Sequence, residues 1–153
     1  MTIALSLNRP LGIRVLRVSE RIAADEFLAL AAFYDERPHL AHFDLINFID
    51  ADANPEITAA DLVLLRQTFA QLQARVQPLL VRRSAWVCPN VRAWPLLEAW
   101  LHERHSRDGL HIEVCLVGEL AEARCLFDAA ELAGVADGAD FEEIARFEPH
   151  YTR

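Results

Sequence analysis

The chain has 153 residues, 53% of them apolar and 25% charged, and its 23 acidic against 15 basic side chains give a formal net charge of −8. That length predicts one domain with a sizeable core, the apolar fraction excludes disorder as the main state, and the longest apolar runs fall well short of the roughly 18 residues a membrane span needs. Every basic residue apart from histidine is an arginine and no basic stripe offsets the acidic balance, so neither nucleic acid nor membrane is an expected partner. The opening Met1-Thr2-Ile3-Ala4-Leu5 lacks the basic segment and long apolar run of a secretory signal. Three cysteines (Cys88, Cys115 and Cys125) without paired spacing predict free thiols and a cytoplasmic location.

In chain order, Thr2–Leu7 and Ile13–Val18 read as strands joined by Asn8-Arg9-Pro10-Leu11-Gly12, where Pro fixes one turn dihedral and Gly permits a positive one. Ala23–Tyr34 follows as a helix, with Asp25 and Glu26 in its first turn and Phe27, Leu30, Ala31 and Tyr34 on one face; Pro38 cannot continue it. Phe43–Ile49 reads as a strand buried on both faces. Thr58 and Asp61 form a capping pair that opens a helix whose core side is Leu62, Leu65, Phe69, Leu72 and Val76, and Pro78 ends it.

Arg83–Cys88 is the next predicted strand. Pro89 makes a turn and Asn90 caps a helix running to about Ser106, with Val91, Trp94, Leu97 and Leu101 on its core side. Asp108-Gly109 turns the chain into a strand, His111–Val117, and Leu120–Ala130 is a further helix. The order ββαβαβαβα predicts an α/β fold: a single mixed, mostly parallel sheet with an N-terminal antiparallel hairpin at its edge and crossover helices. Residues 1–130 form the domain. Residues 131–153 are an extension, part of the same domain or a flexible tail, with Asp140–Phe147 read as a short acidic helix.

This order resembles the STAS-type fold of anti-sigma-factor antagonists, and more closely the stand-alone SpoIIAA-like proteins of bacteria. The resemblance covers about residues 10–130 and rests on three stretches. One is Arg82-Arg83-Ser84-Ala85-Trp86-Val87 with the polar turn and amphipathic helix after it. Another runs from Phe43-Asp44-Leu45-Ile46 to Thr58-Ala59-Ala60-Asp61-Leu62, and the third from Glu113-Val114 to Glu122-Ala123. It implies a non-enzymatic binding or regulatory module whose partner surface is the 50–58 loop (Asp50, Asp52, Asn54, Glu56 and Thr58), with Cys88, Asn90 and Trp94 at the same sheet end. Phospho-switched antagonists carry an Asp-Ser-Ser-Gly type loop there, whereas 50–58 contains no serine and Thr58 is its only hydroxyl. Thr58 therefore reads as a helix cap rather than a phosphosite.

The same residues suggest rival chemistries. Asp50, Asp52, Asn54, Glu56, Thr58 and Asp61 fall at alternate and twelfth positions of a calcium-loop pattern, but Pro55 takes the place that needs a sharply turning Gly, and Asp61 is short for bidentate reach. An acidic solvated loop is the better reading, with a metal-binding protein as the alternative. His102-Glu103-Arg104-His105 sets its histidines at i and i+3 rather than the i, i+4 of zinc-protease helices and reads as an exposed helix end. Cys88, at a strand's carboxyl end before a helix, is the candidate nucleophile of a thiol-dependent enzyme; a small buried thiol is the simpler account. Cys115 and Cys125 read as core. Trp86, Trp94 and Trp100 with Phe27, Tyr34 and Phe69 suit either a core or an apolar ligand pocket, and helical spacing favours core. No Gly-rich phosphate loop occurs, so no nucleotide cofactor is expected. The expected partner is thus a protein or a small apolar ligand, and the apolar content is compatible with a homodimer.

Overall fold

The computed structural model describes residues 3–76, 83–102 and 112–148. Ile3–Asn8 (β1) and Ile13–Val18 (β2) pair as an antiparallel hairpin, with Ile3 opposite Val18 and Asn8 opposite Ile13. The turn closes because Gly12 takes a φ of +66°, where a side chain is disfavoured. The Gly12 N–H donates to the Arg9 carbonyl at 3.2 Å, and the Leu11 N–H donates to Asn8 Oδ1 at 3.0 Å.

Asp44–Ile49 (β4) lies parallel to β2, Arg83–Val87 (β6) parallel to β4, and Glu113–Val117 (β7) parallel to β6. Short strands Arg21–Ile22 (β3) and Asn54–Pro55 (β5) form a separate parallel ribbon. With Glu142–Phe147 (β8), the main sheet has six strands in the order β7-β6-β4-β2-β1-β8. The mixed, mostly parallel α/β sheet expected from the element order is what forms.

Side chains alternate across the pleat, so β2, β4, β6 and β7 each serve two cores. Leu5, Leu16 and Trp86 pack beneath Ala24–Glu36 (α1), Ala59–Val76 (α2) and Trp94–Leu101 (α3). Ile13, Val15, Ile46, Ala85 and Val87 pack on the opposite face against Ala123, Phe127 and Val135. Ala123 lies in a 3-10 turn, Leu120–Cys125, and Val135 in Ala129–Asp137 (α4). Among the described residues no helix is long and apolar enough to cross a membrane.

The expected acidic helix at 140–147 is instead β8, antiparallel to β1, which makes β1 an interior strand rather than the sheet edge. Its register shifts between Leu5 and Ser6, so two residues of β8 face one step of β1. Such a bulge breaks the period-2 alternation, and Ile144 and Ala145 both end up half-buried. Phe147 fixes the strand through an edge-on contact with Phe33 of α1, 5.8 Å between ring centres. Residues 131–148 are thus built into the fold through α4 and β8.

The stretch expected as one helix over 120–130 is split. Glu119 and Glu122 close one capping box, and Asp128 and Glu131 close a second that starts α4. The helix expected from Asn90 begins four residues later, at Trp94, with Pro95 tolerated in its first turn. Val91 therefore sits in the preceding turn, 84% exposed instead of on a core face. Glu103, Arg104, His105, His111, Pro78 and Asp108-Gly109 lie outside the described residues.

Arg83 ties the layers together. It donates to Asp44 at the start of β4 (2.6 and 2.9 Å), to Glu131 on α4 (2.8 and 2.9 Å) and to the Leu126 carbonyl at 3.0 Å. Its guanidinium also lies 4.5 Å from the Phe127 ring centre.

Candidate ligand cavity

Between the sheet and α1–α3 lies a partly open cavity of about 140 Å³. Its floor is a grid set by strand register. One row is Arg14, Leu45 and Ser84 on β2, β4 and β6, and the next is Leu16, Asn47 and Trp86. The walls are the helix faces that helical periodicity predicts: Phe27, Leu30 and Tyr34 from α1, then Leu62, Leu65, Phe69 and Leu72 from α2. Leu96, Leu97, Trp100 and Leu101 of α3 close the third side. Phe69 and Trp100 meet edge-on across it, 5.8 Å between ring centres.

The floor carries polar atoms that nothing among the described residues satisfies: Arg14 Nε, Asn47 Oδ1 and, from the α1 wall, the Tyr34 hydroxyl. Arg14 is 3% exposed and Asn47 fully buried. Arg14 Nη2 donates to the Phe43 carbonyl at 3.1 Å, and Asn47 Nδ2 donates to the Ala85 carbonyl at 3.2 Å. Burial pushes the Tyr34 phenol above its usual value, with Arg14 pulling the other way, so the hydroxyl stays a donor at neutral pH. Buried polar groups are ordinarily paired, so these three atoms are exceptions among the residues that line the cavity.

Of the six aromatic residues singled out in the sequence, Phe27, Tyr34, Phe69, Trp86 and Trp100 line this cavity and Trp94 does not. Trp94 spends its indole N–H on Glu98 at 2.8 Å. Arg14, Asn47 and Ser84 were missed, although for Asn47 a polar residue inside a strand read as buried on both faces is a signal that it needs a partner.

The 50–58 loop and the Cys88–Trp94 segment do come together, and of their residues Ile57 lines the cavity. Asn90 Nδ2 donates to the carbonyls of Asp50 (3.1 Å) and Ala53 (2.7 Å), while its Oδ1 accepts from the N–H groups of Arg92 and Ala93. Asn90 is therefore a buried structural strut. Asp50, Asp52, Asn54, Glu56 and Thr58 are exposed. Glu56 pairs with Arg21 at 3.2 Å, and Asn54 bonds Glu56. Thr58 Oγ1 accepts from the Asp61 N–H at 3.1 Å, and Asp61 Oδ2 accepts from the Thr58 N–H at 2.9 Å, the reciprocal cap expected. Among the described residues no three His, Cys, Asp or Glu side chains converge in a way that could hold a metal.

Cys88 is buried, its thiol directed at the Asn90 carbonyl at 3.4 Å, and burial pushes its pKa up, with the backbone at Asn90 opposing. The helix-end effect anticipated for it is outweighed, because α3 begins at Trp94 rather than beside the thiol. Cys115 is half-buried and Cys125 exposed, so Cys125 is not core. Burial first, then the neighbouring Cys125 thiol, pushes Cys115 up to about 12.

Comparison with protein-family models, curated proteins and solved structures found no match.

Proposed function

We propose that this chain is a non-enzymatic binding module of the STAS/SpoIIAA-like kind, working in the cytoplasm, and that its binding site is the cavity over β2, β4 and β6. The carrying observation is the set of unpaired buried atoms of Arg14, Tyr34 and Asn47 on a largely apolar cavity. Leaving about 140 Å³ unfilled costs up to about 3 kcal/mol, and stranding polar atoms there adds to that. A core selected for stability alone would fill the space with methylenes. The family resemblance draws support from the hairpin and the strand–helix alternation that follows it.

Native mass spectrometry of gently purified protein tests the reading. A small molecule retained by the wild type and lost in Leu65→Phe, which narrows the cavity, is the expected result. Two identical bare chains, together with no Trp fluorescence response to any small apolar probe, would overturn it.

A second reading, regulation through a protein partner, draws on the exposed apolar residues Val63 (54%), Leu64 (46%) and Val91 (84%). Val63 and Leu64 follow the 50–58 loop into α2, and Val91 adjoins the Asn90 strut. Loss of a captured protein in Val91→Asp and Leu64→Asp, with unchanged melting, is the outcome this second reading requires.

A further inference from the structure

We propose that the ligand is a small monocarboxylate, its anionic head against Arg14 and Tyr34 and its body a single ring or short alkyl chain among Leu65, Phe69, Trp86 and Leu97. This rests on the cavity being the ligand site and adds the chemistry of what fills it.

Arg14 differs from Arg21 and Arg83. Arg21 is paired with Asp25, Glu26 and Glu56, and Arg83 with Asp44 and Glu131. Arg14 is more buried than either, at 3% exposure, yet has no carboxylate partner among the described residues. It has one backbone carbonyl and the face of Tyr34. A buried guanidinium without a counter-ion is costly, and a bound anion removes that cost.

The two unpaired donors, Arg14 Nε–H and Tyr34 O–H, suit the two oxygens of a carboxylate. The second arginine at the cavity, Arg37, is already committed to Glu36 at 3.1 Å and to the Phe33 ring and carbonyl. One uncommitted cation matches a monoanion rather than a phosphate dianion. A cavity near 140 Å³ is of the size that accepts one benzene-sized body, and the remaining lining beyond Arg14, Tyr34, Asn47 and Ser84 is largely apolar.

Titration of the intact chain with benzoate, hexanoate and neutral benzyl alcohol, read by the fluorescence of Trp86 and Trp100, tests this. In the wild type benzoate should bind at least about tenfold tighter than benzyl alcohol, the scale of a charge-assisted hydrogen bond. Arg14→Met should erase that preference while keeping the affinity for benzyl alcohol. Tyr34→Phe, which loses a single oxygen, should weaken benzoate several-fold, and it carries the test should Arg14→Met fail to fold. Equal binding of benzoate and benzyl alcohol would overturn the carboxylate and leave the cavity reading standing. A benzoate preference untouched by both substitutions would also overturn it, because the anion would then sit elsewhere. Failure of all three probes at millimolar concentration would sink the cavity reading itself.

Discussion

The guanidinium carbon of Arg14 lies 4.9 Å from the centre of the Tyr34 ring, so strand β2 and helix α1 meet through a cation stacked on a phenol. The contact joins two residues of the cavity lining, each with a buried polar atom that finds no partner among the described residues. It also shields part of the charge, since a ring face attracts a cation, but it supplies no counter-ion.

Narrowing the cavity should separate binding from folding. Leu65 is 3% exposed on α2 and faces the cavity. Leu65→Phe adds volume where space exists, so its melting free energy should stay within about 1.5 kcal/mol of wild type while small-ligand binding disappears. Calorimetry and a fluorescence titration on the same sample check this. Retained binding would place the ligand elsewhere.

The Arg83 clamp makes a pH-dependent contribution. Arg83 holds the Glu131 carboxyl below its ordinary value of about 4.5, the side-chain hydrogen bond being the main cause. The folded state thus favours the carboxylate, so this stabilisation is complete above pH about 4.5 and is lost as pH falls through the depressed value. Arg83→Met should cost about 2–3 kcal/mol at pH 7, between exposed and fully buried pairs, and less in acid below the depressed value. Urea unfolding at both pH values measures the difference. An equal cost at both would show that Arg83 acts through contacts that do not titrate, the Leu126 carbonyl and the Phe127 ring.

Much of the fold was legible, and the exceptions have physical causes. The hairpin, β4 and α2 follow from local signals: Gly12 in the turn, an apolar run at 43–49, and the Thr58–Asp61 cap. The strand β8 was hidden because its bulge breaks the alternation that would have announced it. The break before α4 was hidden because Asp128 and Glu131 form a second capping box inside a run that reads as continuous helix. The aromatic lining was visible as helical stripes, but periodicity cannot distinguish a filled core from one that leaves a cavity. Only register reveals that Arg14, Leu45 and Ser84 share a row, since it depends on pairing between distant segments.

Thiol reactivity should rank by exposure and charge state. Cys125 is exposed, Cys88 is buried with its pKa raised, and Cys115 is pushed up to about 12. Iodoacetamide at pH 7.5, followed by peptide mapping, should label Cys125 first and leave Cys88 and Cys115 slow, because the thiolate is the reactive form. Fastest labelling at Cys88 would revive a thiol-dependent activity.

Thr58 should behave as a cap. Thr58→Ala removes the oxygen that accepts the Asp61 N–H and should cost about 1 kcal/mol, whereas Thr58→Ser, which keeps that oxygen, should cost a few tenths at most. Thermal unfolding of the two variants distinguishes them, and equal losses would remove the hydroxyl from the explanation.

The most direct test of the central claim is a crystal structure grown with saturating benzoate. The account predicts density for one molecule in the cavity, its carboxylate against Arg14 Nε and the Tyr34 hydroxyl and its ring beside Leu65 and Trp86. Benzoate bound only at the 50–58 loop, or a cavity unchanged at a concentration that saturates the fluorescence titration, would contradict it.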